Sequence, residues 1–373
     1  MPICRGLKHV QKQSRRRDYY RIDFVLTVLT GNLSRYLALR PIIEGDPTIQ
    51  PRWYPIRTWF KDDWLRFLPG GVRIRARHLL DSYKLFVRRP PDAVVMHALD
   101  TYSLYGAWHR LFRLRTVLIN NPDATDFAGK GKVSHWMLQS AVDRTSLFVP
   151  WSEAAAREML QVFPEIANRL TVIHPGLVLE KWPMRSPVIR PGPYRILFVG
   201  GDAMRKGLDT LLDAFEQVLN VDCALDVASQ RAFLPDEVIS RMEGLENTRL
   251  HLDLTPGSVE LKALFDQADV FVLPTRSDAS PWVAIEALAT GVPVVISAKG
   301  GIDEIVLNEE TGLIIPSDDP EAIVVAVQRL QSSPDLVERL VRQGRRHVEV
   351  NYSASNGTAR LLDAVKRLVD DRR

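Results

Sequence analysis

Short runs of β-branched and apolar residues alternate with helix-period segments along this chain, and the alternation runs twice. The first series has strands at Phe24–Leu29, Ala93–Met96, Thr116–Ile119, Leu147–Val149 and Leu170–His174, with a helix from Ser152, a good N-cap, to Leu160. A proline cluster follows: Pro183, Pro187, Pro191 and Pro193, with Gly192, fall within eleven residues. Such density marks a domain boundary. A second series then starts afresh, with strands at Arg195–Val199, Ala224–Ala228, Arg249–Leu252, Val270–Leu273, Val292–Ile296 and Leu313–Ile315. Its helices are Leu208–Leu219, Val259–Gln267, Trp282–Thr290 and Pro320–Gln331, and an amphipathic helix, Ser353–Val369, ends the pattern. Strands joined through helices pair in parallel, so the sequence predicts two α/β domains, each built on a parallel sheet. The length of 373 residues agrees, at roughly 100–200 residues per domain.

Composition narrows the function. With 46% hydrophobic residues the chain can bury real cores, which excludes wholesale disorder. Cys4 and Cys223 are too few for a disulfide framework and suit a reducing compartment. Cysteine and histidine spacings show no zinc pattern. The net charge of +4 invites a nucleic-acid reading, but residues 1–22 carry seven Lys and Arg against Asp18, leaving the rest of the chain at −2. The basicity belongs to this leader, which is expected to be flexible or weakly drawn to anionic lipid; no nucleic-acid partner is expected. Arg15-Arg16-Arg17 and the apolar stretch Phe24–Leu29 do not make an export signal, because the stretch is shorter than the usual core of about 7–15 residues and no small-residue cleavage site follows. No stretch reaches the roughly 18 apolar residues of a membrane span. The expected location is cytoplasmic, at most against the inner face of the membrane.

Ligands of parallel α/β sheets sit beyond the carboxyl ends of the strands, so the chemistry is sought there. After Val199 comes Gly200-Gly201-Asp202-Ala203-Met204-Arg205-Lys206-Gly207: a glycine turn that lets a ligand approach the backbone, then two cations. Arg205 can grip phosphate oxygens as a fork and Lys206 as a point charge. The glycine spacing fits neither a Walker loop nor a dinucleotide fingerprint. After Leu273 comes Pro274-Thr275-Arg276-Ser277-Asp278-Ala279-Ser280-Pro281-Trp282-Val283-Ala284-Ile285-Glu286. Ser280 is a good N-cap and Pro281 suits the first helical position, so the helix start, near Trp282 and Val283, is an anion site. Asp278 lies before the helix and Glu286 within it, among Ala284, Ile285, Ala287 and Leu288. A carboxylate accepts two hydroxyl hydrogen bonds at once, which suits a sugar or ribose diol.

These segments resemble the GT-B glycosyltransferases, specifically glycosyltransferase family 4. Three stretches carry the resemblance: Arg195–Phe215, Val270–Ile314 with its Gly-Gly and later Thr-Gly, and Phe148–Gly176. The resemblance implies two Rossmann-like parallel-sheet domains facing a cleft, with the C-terminal helix crossing back to the N-terminal domain. It implies an acceptor-side domain over 23–183, completed by 353–373, and a nucleotide-sugar domain over 190–352. It implies retaining transfer of a hexose from a nucleoside-diphosphate donor, which is a co-substrate, so no cofactor is expected. Carried over, Lys206 holds the diphosphate with Arg205 beside it, Glu286 holds the ribose hydroxyls, and Gly200, Gly201, Ser280, Pro281, Trp282 and Val283 complete the donor site. Asp278 stands where the family usually has Glu, which shortens the reach to the donor sugar, and Gly201 where many members have Arg. On the acceptor side the match is thinner: Gly31 and Asn32 resemble the glycine turn after the first strand. His97 resembles an N-domain strand end, and Asn120, Asn121 and Asp123 occupy another.

The charges suggest a mechanism. Breaking a glycosyl–phosphate bond leaves extra negative charge on the departing diphosphate, which needs stabilising in the transition state. The chain has no Asp-x-Asp triplet, so Arg205, Lys206 and the helix start are expected to replace a metal ion. Asp278 is expected to orient the sugar. Other readings are a degenerate sugar-nucleotide-binding partner protein, a GT-B epimerase or phosphorylase, and a Rossmann oxidoreductase. The acceptor, whether glycan, lipid-linked or small molecule, faces the N-terminal domain. There Arg52–Gly71 interleaves Trp53, Tyr54, Trp59, Phe60, Trp64 and Phe67 with basic residues. That segment reads either as a helix burying its aromatics or as a weak peripheral membrane contact.

Overall fold

The computed structural model describes residues 19–28, 39–57, 91–97, 115–119, 139, 142–174, 176–185, 191–278, 281–298 and 301–371. The N-terminal sheet holds β1 (Tyr20–Val28), β2 (Ile49–Arg57), β3 (Ala93–His97), β4 (Arg115–Ile119) and β5 (Leu147–Val149), in the order β2-β1-β3-β4-β5. All its pairings are parallel. Helix α1 (Glu153–Val162) follows β5. The C-terminal sheet holds β6 (Tyr194–Val199), β7 (Cys223–Ser229), β8 (Thr248–Leu252), β9 (Val270–Leu273), β10 (Val294–Ser297) and β11 (Leu313–Ile315), in the order β11-β10-β9-β6-β7-β8. It too is parallel throughout. Its helices are α2 (Leu208–Gln217), α3 (Asp236–Glu243), α4 (Val259–Gln267), α5 (Trp282–Thr290), α6 (Ile302–Ile305), α7 (Pro320–Ser332) and α8 (Pro334–Asn351); α9 (Ala354–Asp370) follows.

Local sequence explains these elements. Every residue of β9 and β10 is buried, as in strands covered on both faces. Helix α2 buries Leu208, Leu211, Leu212 and Phe215, one stripe at helical spacing. Ser258 caps α4 by accepting from Leu261 N at 3.2 Å, and Asp319 caps α7 by accepting from Ala322 N at 2.9 Å. Helix α5 is buried on nearly every side, between its own sheet and α8. Leu361, Leu362, Val365 and Val369 of α9 pack into the core formed by Ile22, Phe24 and Val95 of the N-terminal sheet.

Three expectations are overturned. The end of the segment read as a flexible leader, 1–22, belongs to the N-terminal sheet: Tyr20, Arg21 and Ile22 pair with Ile49, Gln50 and Pro51, and Ile22 is fully buried because its apolar side chain enters the core. Residues 170–174 make one parallel bridge, Leu170 to Phe148, instead of a strand. The reason is the shortness of β5, which turns towards α1 after Val149 and leaves only the Phe148 and Pro150 carbonyls to accept from Thr171 N (2.9 Å) and Ile173 N (3.1 Å). The helix read over the aromatic segment is a strand, β2, as far as Arg57; residues 58–71 lie outside the described residues. Register decides it. Trp53 lies opposite Phe24 and stacks on it at 4.6 Å, while Arg52 lies opposite Asp23 and forks onto its carboxylate at 2.5 and 2.8 Å. Asp23 is fully buried, so this arginine is the partner its charge requires.

The two passages of chain between the domains run side by side. Leu177 N donates to Tyr352 O at 2.7 Å and Ala354 N to Leu177 O at 2.8 Å. They approach so closely that a Cβ on Gly176 would overlap the Tyr352 carbonyl. Gly176→Ala is therefore expected to cost about 1–3 kcal/mol as the passages are forced apart, read as a lower denaturation midpoint with an unchanged slope.

Candidate active site

In the C-terminal sheet the strand order reverses between β6 and β9, and a crevice opens at such a switch point. The two loops singled out in the sequence leave from these two strands. Beyond β6, Gly200 N donates to Ala228 O at 3.0 Å and its carbonyl accepts from Ser229 Oγ at 2.8 Å, which pins the glycine turn to the end of β7. The loop closes at Gly207, which caps α2 with φ 78° and lies against the Pro274 carbonyl, leaving no room for a side chain. Beyond β9, the Thr275 carbonyl accepts from the buried Ser297 hydroxyl at the end of β10.

Between the two loops the Lys206 ammonium donates to the Asp278 carboxylate. Both side chains are nearly out of water, 11% and 13% exposed. Lys206 also packs against the glycine turn, its Cγ 3.0 Å from where a Gly200 Cβ would stand. Glu286, buried on α5, faces a cleft of about 370 Å³. Gly200, Gly201, Trp282 and Val283 line the same cleft, with Ser229 and Gln230 at the end of β7, Leu254 and Pro256 after β8, and the interdomain residues Gly176–Val178. Lys206 and Asp278 are not among the lining residues; they stand behind the glycine turn.

Arg205 is half exposed and is not among the lining residues either; its Nε is on Asp202 at 3.0 Å and its guanidinium on the Ser277 carbonyl. Pro281 is extended (φ −73°, ψ 91°) and sits at the cap instead of the first helical position, while α5 spans Trp282–Thr290 as expected. Proline fixes φ alone, and ψ here keeps it out of the helix. His97 ends β3, beside the N-terminal sheet's own switch point between β1 and β3. Gly31, Asn32, Asn120, Asn121, Asp123 and Ser280 lie outside the described residues. Among the described residues no group of three or more His, Cys, Asp or Glu side chains is gathered to hold a metal ion, and no helix is long and apolar enough to cross a membrane.

Sequence reasoning missed two residues here. Arg276 forks onto Asp209 at 2.8 and 2.9 Å. Burial would raise the Asp209 carboxyl, but this fork outweighs it and holds the carboxyl below its usual range. Glu304, on α6, reaches the other domain: its carboxylate accepts from Glu153 N and Ala154 N, both at 2.7 Å. With Ser152 accepting from Ala155 N at 3.1 Å, the first turn of α1 is capped from both domains. Applying the strand-end rule after β7, β8 and β10 as well would have found the cleft's far wall and the approach to Glu304.

Residues 183–347 match the family described as glycosyl transferases group 1. Among curated relatives, a glycogen synthase of Mycobacterium tuberculosis is 28% identical over 245 residues, 63% of this chain and 57% of the relative. A D-inositol 3-phosphate glycosyltransferase of Streptomyces griseus is 26% identical over 281 residues, 66% of this chain and 58% of the relative. The match thus spans less than two thirds of these relatives. Among solved structures, a sucrose-phosphate synthase of Thermosynechococcus elongatus superposes with a TM-score of 0.75 at 17% identity, covering 94% of this chain and 100% of its own. HepE of Anabaena, in complex with UDP and glucose, gives 0.73 at 11% identity over 94% of this chain and 100% of its own. The fold is GT-B, with two Rossmann-like domains.

Behind Glu304, its carbonyl accepts from His347 Nε2 at 3.0 Å and from the Tyr352 hydroxyl at 2.8 Å. Burial lowers the His347 pKa, keeping the ring neutral. The unfolded chain then binds more protons than the folded one as pH falls below about 6.5, the ordinary histidine value. Stability from this group is full above that pH and declines as pH falls towards the lowered folded value. Urea midpoints between pH 7.5 and 5.5 are expected to fall in the wild type and to fall less steeply in His347→Gln.

Proposed function

We propose that the chain is a retaining, metal-independent glycosyltransferase of family 4 type that moves a hexose from a nucleoside-diphosphate donor to a glycan, lipid-linked or small-molecule acceptor. One observation carries the reading: a buried carboxylate, Glu286, lines the cleft from the helix after β9, and a buried cation, Lys206, packs directly behind the cleft's glycine turn after β6, the two strands of the switch point. The similarity of residues 183–347 to group 1 glycosyl transferases supports it. So does the likeness in fold to a protein solved with UDP and glucose.

In this reading Glu286 takes the ribose diol, while Lys206 and the start of α5 take the diphosphate. The bond between the sugar's anomeric carbon and the phosphate oxygen breaks, and the acceptor oxygen forms its bond on the same face. The acceptor's proton passes to the departing phosphate oxygen. Lys206 stabilises the charge that builds there, the part a metal ion plays elsewhere. Asp278, held by Lys206, orients the sugar hydroxyls, and no cofactor beyond the donor is called for. The proposed setting is the cytoplasm, where the basic leader could draw the protein to anionic lipid, and the proposed task lies in envelope or polysaccharide assembly.

Thermal shift with UDP, GDP and ADP and their sugars tests the site. A donor at 100 times its Kd should add about 2.7 kcal/mol to the wild type. Lys206→Ala and Glu286→Ala should each weaken that ligand about 10–100-fold, the range for losing a charged hydrogen-bond partner. Equal shifts in wild type and variants would remove the assignment.

Turnover of the donor that binds is the second test. Asp278→Ala is expected to lower kcat/KM about 10–100-fold, and EDTA to leave the wild-type rate unchanged. Binding without turnover across an acceptor panel would favour the degenerate partner protein. Conversion of donor without acceptor would favour an epimerase, and phosphate-dependent cleavage a phosphorylase.

A further inference from the structure

We infer that Arg276 is the positioning residue of the phosphate subsite: one guanidinium sets where Lys206 and Asp278 stand relative to each other. This rests on the donor-site reading above.

Arg276 follows β9, and its main-chain N donates to the Arg205 carbonyl at 3.0 Å. Its Nη1 donates to the Met204 carbonyl at 2.5 Å. These two bonds fix the chain immediately before Lys206. The fork onto Asp209, together with Nη2 to Thr210 Oγ1 at 3.2 Å, fixes the first turn of α2 immediately after it. Lys206 is thus held on both sides by one residue, and Asp278 lies two positions further along the same loop. Finally, Nε donates to Asp318 Oδ1 at 2.6 Å, tying in the loop that follows β11.

Two features mark this as positioning rather than phosphate binding. The charge of Arg276 is already opposed by two carboxylates, Asp209 and Asp318. And its nitrogens reach three separate segments of the chain, at Met204, at Asp209 with Thr210, and at Asp318, whose left-handed backbone (φ 57°) is one that aspartate and glycine both adopt. A lysine could not substitute, because its ammonium cannot fork onto one carboxylate while bonding a carbonyl and a second carboxylate in other directions.

The test compares affinities for UDP, GDP and ADP with those for uridine, guanosine and adenosine, in the wild type, Arg276→Gln, Arg276→Lys and Asp318→Gly. Glycine adopts the backbone of position 318 without strain, so that variant keeps its fold while losing one arm. For the pair the wild type binds, the preference for diphosphate over nucleoside is expected to fall about tenfold in Arg276→Gln and nearly as far in Arg276→Lys. In Asp318→Gly it should fall about threefold. Nucleoside affinity should stay within about twofold throughout, since a positioning role acts on the phosphate end alone. A diphosphate preference unchanged in both Arg276→Gln and Asp318→Gly overturns the proposal. So does an equal loss for nucleoside and diphosphate, which marks a merely structural arginine. If Arg276→Gln does not fold, Asp318→Gly decides. A wild type with no diphosphate preference overturns the donor-site reading itself, and this proposal with it.

Discussion

Lys206 and Asp278 hold each other at the one place in the C-terminal sheet where the strand order turns back on itself. Neither side chain could be so far from water alone, since an unpaired charge at such depth is costly. The pair therefore obliges the loops after β6 and β9 to stay together. That meeting places the glycine turn against Lys206 and lets the cleft form between the turn and α5. Gly207 has to be glycine for the same reason, because the approach of the two loops leaves no room at the Pro274 carbonyl. In the proposed donor complex a phosphate would join Asp278 at the Lys206 ammonium, which has three donors, so the ammonium would have a counter-charge before and during binding.

Much of this was legible in the sequence because it is local. β9, α4, α5 and β11 fall where their apolar runs put them, and both strand-end loops could be named from their glycines and charges. Glu286 stood out because its neighbours along the helix are apolar, a pattern that survives without knowing the fold.

What was not legible depends on partners distant in the chain. Strand β2 contains Pro51 and Pro55 among arginines and aromatics, which argues against a strand interior. It is tolerated at the end of the described sheet order, where one side of the strand carries no ladder, and its cross-strand partners Asp23 and Phe24 decide the matter. Helix α8 hides its buried Leu336, Leu340 and Val348 in a run dense with charge. Arg276 reads as one more loop cation until the fold brings Asp209 and Asp318 to it, from 67 and 42 positions away. Glu304 finds its partners 151 and 150 positions back, in the other domain.

The side-by-side passages at Leu177 and Ser353 bear on how a cleft of this kind can change width. They are paired to each other through backbone hydrogen bonds, so they resist sliding apart and act as a single pivot. Motion of one domain on the other then becomes a swing about that pivot. On a swing, displacement grows with the length of the lever arm. Groups beside the pivot, Gly176 and Tyr352 among them, would scarcely shift, while the far rims of the two sheets would travel furthest for the same few degrees.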